Sequence, residues 1–242
     1  MLSTQRNTKG IISNNCYVPK GNAGGIRMDI NILKDMFPVL LDASLMTMEL
    51  TLISVVLGSL IGMFTALLKL SKNKLMATVA GFYTWLFRGT PMLLQLWFFY
   101  FGLPFVGIKF TAFQAALIGL SLNSGAYMAE IIRGGILSVE KGQFEACRSL
   151  GFTYFDTMKR VVLPQTFKII IPSVGNEFIT MLKDTSLVST ITMVEVMRSA
   201  QLLYASSFRP LEAFFITGCL YLLMTTIFTT VFSYYEKRLS VY

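Results

Sequence analysis

EACRSLGFTYFDTMKRVVLP, residues 145–164, separates two apolar stretches that are each long enough to cross a bilayer. Residues around Gly142 to Leu150 form a short helix, and Gly151 can take the left-handed conformation that ends one. Thr153 then stands as an N-cap, with Asp156 three residues later at capping-box spacing. The next helix is expected to stop at Leu163, because the residue before Pro164 is pushed out of the α region. Lys159 and Arg160 in its last turn complement the helix dipole. The expected element is two short helices joined by a glycine bend, a rigid joint able to pass a partner's motion to both flanking segments.

Outward from this loop the chain is apolar. Of its 242 residues 54% are hydrophobic and 14% charged, with a mean hydropathy of +0.60, an excess over soluble domains that calls for a solvent other than water. A bilayer core of about 30 Å asks for about 20 apolar residues per helix. Five segments qualify, at about 44–68, 90–106, 111–132, 169–194 and 213–235. The alternation that barrel strands require is missing, so the expected class is an all-α integral membrane protein of five transmembrane helices. The loop then occupies about 133–168. A net charge of +8 does not point to nucleic acid, because the basic residues lie between apolar runs and form no contiguous patch. The chain has no histidine, which removes His-based acid–base chemistry and most zinc sites; Cys16, Cys147 and Cys219 are too scattered for a metal or disulfide framework. They are expected to be small apolar fillers or surface thiols.

Orientation follows the Lys/Arg bias of the connections. Lys69, Lys72, Lys74 and Arg88 lie between the first two spans, six cations from Arg133 to Lys168 lie in the long loop, and Lys237 and Arg238 end the chain. The opposite connections hold Lys109, Arg198 and Arg209. The loop and the C-terminus are therefore expected in the cytoplasm and the N-terminus outside. Trp97 to Phe101 would lie near the outer interface, and Tyr234 and Tyr235 near the inner one. Residues 1–27 form a polar tail without the apolar core of a secretory signal. Its Arg6, Lys9, Lys20 and Arg27 resist translocation, so the native chain is expected to begin at Met28, with 28–242 forming the permease domain. Ile30, Leu33, Phe37 and Leu40 or Leu41 share a helical face and suggest a short interfacial helix before the first span.

The loop resembles the signature of ATP-binding-cassette (ABC) importer permeases: Glu-Ala-Ala, three residues, Gly, nine residues, Ile, any residue, Leu-Pro. Glu145, Ala146, Cys147, Gly151, Val161, Leu163 and Pro164 stand at the matching spacing, with Cys147 in place of Ala and Val161 in place of Ile. The resemblance implies the type I importer permease fold and a loop that docks into a cleft on a separate ATPase. Further stretches resemble the polar amino-acid branch of that family: Arg88-Gly89-Thr90-Pro91, Asn123 to Tyr127 with Ala129-Glu130-Ile131, and Lys183 to Leu187. Together the likeness covers residues from about Asp29 to the C-terminus. It implies import of polar or charged amino acids across the inner membrane of a bacterium. It also implies a dimer of ATP-binding subunits carrying ATP and Mg, a second permease copy, identical or paralogous, and an extracytoplasmic amino-acid-binding protein. No cofactor is expected on this chain, which has no GxxxxGK[ST] phosphate loop.

The candidate pathway residues are Asn123, Ser124 and Glu130 in the third span and Glu177, Thr180, Lys183 and Asp184 in the fourth. Ionisable groups at membrane depth cost about 2.5–3.5 kcal/mol each on insertion scales, so they should face protein or a watery cavity. Asn176, Thr180 and Lys183 share one stripe, while Glu177 and Asp184 lie two turns apart on an adjacent one. A zwitterion in transit needs partners for both charges; the competing role for Lys183 and Asp184 is pairing with neighbouring helices. Arg88 fits an inner-interface anchor. Gly58 and Gly62, at GxxxG spacing, allow close helix approach and decide nothing about dimer geometry. An ion-coupled secondary transporter or channel would explain the intramembrane charges but not the loop, and such carriers are usually longer with internal repeats. A membrane-embedded enzyme lacks a histidine or serine–base constellation.

Overall fold

The computed structural model describes residues 28–239, which form helices and short connections. The expectation for 1–27 lies outside the described residues. In chain order the helices are α1 (Ile30–Lys69), α2 (Lys74–Gly89), α3 (Met92–Trp97), α4 (Ala112–Leu137), α5 (Lys141–Ser149), α6 (Tyr154–Thr157), α7 (Leu163–Asp184), α8 (Val196–Ser207) and α9 (Pro210–Leu239). A π-helical turn (Phe98–Gly102) and a 3₁₀ turn (Leu103–Val106) extend α3; a second π turn (Met158–Val162) joins α6 to α7, and a 3₁₀ run (Thr185–Ile191) extends α7.

By length and composition α1, α4 and Pro210–Arg238 are suited to crossing a membrane. Helix α2 and the segment Met92–Val106 add a fourth span only if that pair, bent by 105°, is taken as one. The apolar segments expected at 44–68, 111–132 and 213–235 thus lie inside single long helices. The segment at 169–194 divides between α7 and its 3₁₀ extension, and its polar residues keep it from the same standard. The segment at 90–106 begins at a break, and the helix before it was expected to be only a connection.

One further expectation is corrected. The stripe at Ile30 to Leu41 is no separate helix: α1 runs unbroken through Pro38 to Lys69. Its inward residues there are Met36 and Leu40, packed with Leu33 against Ala200, Ala213, Ile216 and Leu220, and the helix continues from them into its apolar part. Asp29 caps α1 by accepting from the Asn31 N–H at 2.9 Å, and its own N–H donates to Glu212 at 3.2 Å.

The core is the contact of α1 with α4. Along α1 the residues Thr47, Thr51, Ser54, Gly58, Gly62 and Thr65, all small or hydroxyl-bearing, recur every three or four positions on the buried face. A Cβ on Gly58 would stand 2.7 Å from the Ser124 Cβ, and one on Gly62 would stand 2.5 Å from the Met128 Cβ. The GxxxG pair therefore serves packing within the chain, letting the two backbones meet. Leu50, Leu96, Leu120, Met128, Met181, Leu182, Val188 and Ile191 fill the remaining core between these helices and α7.

Candidate functional site

The loop is built as its residues demand at its first end. Helix α5 closes at Gly151, whose φ of +77° is one L side chains rarely adopt. The Gly151 N–H donates to the Arg148 carbonyl and the Phe152 N–H to the Cys147 carbonyl, both at 3.0 Å, which is the Schellman pattern. Thr153 then caps the next helix, its Oγ1 accepting from the Asp156 N–H at 3.2 Å. Cys147 is buried on the inner side of α5, as a small apolar filler would be, and Cys219 is exposed.

At its second end the expectation fails. The helix does not stop at Leu163, which has φ −62° and ψ −42°. Pro164 lacks an N–H and its ring would strike the carbonyl four residues back. The π turn before it widens the helix, with the Leu163 N–H donating to the Met158 carbonyl five residues earlier, and so carries the chain past the proline. Residues 154–184 therefore form one continuous rod, about 45 Å long at 1.5 Å per residue. It runs from the loop's tip to Asp184.

A small core roots the loop. Val139, Phe144, Met158 and Val162 pack with Ile132, Ile136 and Leu70, so α5 and the π turn are fastened to the ends of α4 and α1. The opposite side of the loop is open. Leu150, Phe152, Tyr154 and Phe155 are all exposed, as are Glu145, Ala146, Gly151, Leu163 and Pro164. Among the described residues the Glu145 carboxylate has no hydrogen-bond partner; its backbone carbonyl accepts from Ser149 at 3.1 Å.

The expected pathway residues fall into three settings. On α7, Ser173, Asn176, Thr180 and Lys183 form a polar line that is exposed along the rod, and Glu177 is buried beside it. The Ser124 hydroxyl of α4 is buried as well and has no hydrogen-bond partner among the described residues. Asn123 is placed differently. Its Nδ2 donates to Gln95 Oε1 at 2.9 Å and to the Phe87 carbonyl at 3.2 Å. Gln95 in turn donates to the Phe87 carbonyl at 2.8 Å and to Thr90 Oγ1 at 2.8 Å. These amides satisfy the backbone groups freed at Arg88-Gly89-Thr90-Pro91, so Asn123 clasps the bend between α2 and α3. Glu130 is also spoken for: it pairs with Lys69 and with Arg133 at 2.9 Å, and Lys69 donates to Thr84 at 2.8 Å. That knot lies where α1 and α4 meet the loop.

Two buried charges escaped sequence reasoning: Glu212, which pairs with Arg209, and Glu195. Glu195 has no exposed surface and caps α8, accepting from the Met197 N–H at 2.9 Å and the Arg198 N–H at 2.8 Å. It also accepts from Tyr221 at 2.9 Å and Thr47 at 3.4 Å, tying α1, α8 and α9 together. Its signal was a lone glutamate just before a helix start, with partners remote in sequence.

Comparison with known proteins fits this architecture. Residues 32–241 match the family described as "Binding-protein-dependent transport system inner membrane component". A putative glutamine transport system permease protein of Rickettsia felis is 38% identical over 203 residues, covering 84% of this chain and 93% of that protein. The arginine transport system permease protein of Bacillus subtilis is 38% identical over 215 residues, covering 88% and 98%. Among solved structures, an amino acid ABC transporter determined with histidines is 40% identical with a TM-score of 0.84, covering 88% of this chain and 100% of that one. The inward-facing methionine ABC transporter, 18% identical with a TM-score of 0.71 over 88% of this chain and 99% of its own, shares the fold. The chain belongs to the family of binding-protein-dependent transport system inner membrane components.

Proposed function

We propose that this inner-membrane permease subunit of an amino-acid ABC importer moves polar or charged amino acids inward by alternating access, driven through the loop at residues 145–164. The observation that carries the proposal is the unbroken rod from Tyr154 to Asp184: its exposed lower end suits docking, and its upper part holds Thr180, Glu177, Lys183 and Asp184. ATP and Mg belong to a separate ATPase dimer, which grips Glu145, Ala146 and Gly151 while Leu163 and Pro164 set the rod's angle. When that dimer closes, the docked loops tilt the rods and open the pathway outward. A second permease copy completes the pathway, since the polar line on α7 is open in a single chain. An extracytoplasmic binding protein delivers the amino acid. The relatives named for glutamine and arginine transport support a polar or cationic cargo. The N-out, C-in orientation with five crossings rests on the Lys/Arg bias.

The test is uptake of labelled amino acids into liposomes holding this chain with its ATPase and binding protein. Uptake should require ATP and the ATPase, and a competition panel then identifies the cargo. Uptake driven by an ion gradient alone would favour the secondary-transporter reading. Glu145→Ala should insert normally yet fail to retain the ATPase on purification, lowering uptake to that of liposomes without it. Normal retention and uptake by this variant would remove the docking role.

A further inference from the structure

We propose that the cleft between the end of α1, the outer part of α2 and α4 is a binding site for the phosphate headgroup of an anionic phospholipid. The cleft is open to the surface, has a volume of about 410 Å³ and is lined by Lys69, Thr84, Trp85, Arg88 and Glu130, with Gly81 and Gly89 leaving free space at its edge. Three cations meet there against one carboxylate, because Arg133 joins Lys69 on Glu130. Lys69 and Arg133 together more than neutralise Glu130, so the group is net positive, and Arg88 is its one cation outside the pairing. Its guanidinium lies over the Tyr127 ring, 5.3 Å from the centroid, and makes no ion pair or hydrogen bond among the described residues. A planar fork held by an aromatic face, with its N–H groups unspent, matches phosphate oxygens.

The surroundings favour a lipid as the source of that phosphate. Helix α2 turns by 105° from the segment that follows it, and its outward side chains are apolar: Leu75, Met76, Val79, Phe82, Trp85 and Leu86 are exposed. Tyr83 and Thr84 face the other way, Tyr83 donating to the Leu122 carbonyl of α4 at 2.5 Å. A helix with one face on protein and an apolar face left open, beside a basic cleft walled by tryptophan, gives acyl chains a bed next to the headgroup's charge partner. Basic clefts of this type at an inner membrane surface suit anionic headgroups, and placing this one in the inner leaflet rests on the orientation proposed above.

The chain has two tryptophans, so Trp97→Phe leaves Trp85 as its sole indole reporter. The full-length chain carrying that change would be placed in symmetric bilayers of mixed phosphatidylcholine and phosphatidylglycerol, with brominated acyl chains on one lipid or the other. Because both leaflets are alike, the result does not depend on orientation. Trp85 should be quenched several-fold more effectively, at equal mole fraction, by brominated phosphatidylglycerol. Arg88→Gln should bring the ratio to unity. Arg88→Lys should keep most of it, and Arg148→Gln on the loop should leave it unchanged. A ratio of unity in the parent, or an undiminished ratio in Arg88→Gln, would overturn the proposal. Loss of the preference on adding millimolar inorganic phosphate, with sulfate-free salt at matched ionic strength as control, would assign the cleft to a soluble phosphate and overturn the lipid assignment.

Discussion

Gly62 shows how little freedom single positions have in this bundle. A side chain there would push into Met128 and the backbone nitrogen of Ala129, 2.9 Å from the new Cβ, and neither can yield without parting α1 from α4. Gly62→Val should destabilise the folded chain by about 1–3 kcal/mol, the usual range for overpacking. It should appear as a lowered melting temperature in detergent; an unchanged melt would show that the helices separate more easily than their packing implies. Glu195 presents the opposite problem, a buried group whose removal leaves others stranded. In Glu195→Ala the Tyr221 hydroxyl and two N–H groups of α8 lose their acceptor, a loss of about 2–3 kcal/mol from unsatisfied groups and a missing cap. Glu195→Gln keeps an acceptor oxygen and should recover part of it. Equal melts for the parent and Glu195→Ala would mean that water replaces the clasp. The glycine spacing was visible in the sequence because GxxxG is local. The Glu195 clasp was not, because Thr47 and Tyr221 reach it from helices that only the fold brings together.

Local signals predicted the elements well where they acted alone. Gly151, Thr153 and Asp156 marked the bend and the cap of the loop, and both are present. Where two effects competed, the local rule lost. Pro164 has the chemistry of a helix stop, yet packing of Val162 and Met158 against Ile136 and Phe144 holds the chain helical, and a π turn absorbs the conflict. Helix α2 was passed over for a related reason: it is too short and too broken at Pro91 to look like a span. Its Asn73 cap and its apolar positions 75, 76, 79, 82 and 86 were nevertheless a legible amphipathic pattern. The π turn is the part of the rod most exposed to test. Pro164→Ala removes the ring clash, and relaxation to α geometry would rotate the loop's tip against α7 by about 100°, one residue's worth of helix. The assembled importer should then keep hydrolysing ATP while amino acid moved per ATP falls several-fold. Unaltered coupling would show that the wide turn only accommodates the proline.

For the whole molecule, the decisive feature is a mismatch between two outward faces. Helix α9 presents Leu222, Leu223, Ile227 and Val231, an ordinary surface for lipid. Helix α7 presents Ser173, Asn176, Thr180 and Lys183, also exposed in the single chain. At about 2.5–3.5 kcal/mol for a charged group in the bilayer centre, such a face cannot be left in hydrocarbon. Tight burial against another helix would serve a structural line, whereas intermittent contact with water would serve a pathway, and the two differ in chemistry. In a chain whose cysteines are replaced, Thr180→Cys in the reconstituted importer should react with a charged, membrane-impermeant thiol reagent, at a rate that changes when ATP is bound. Leu222→Cys should stay unreactive in both states, since lipid excludes the reagent. Failure of Thr180→Cys to react in either state would remove α7 from the pathway and leave it a packing face, while equal reaction at both positions would mean that the partner does not cover the chain as proposed. An ATP-dependent rate at position 180 alone would join the two ends of the rod, because the nucleotide acts at the loop and the label reports some tens of ångströms away on the same helix.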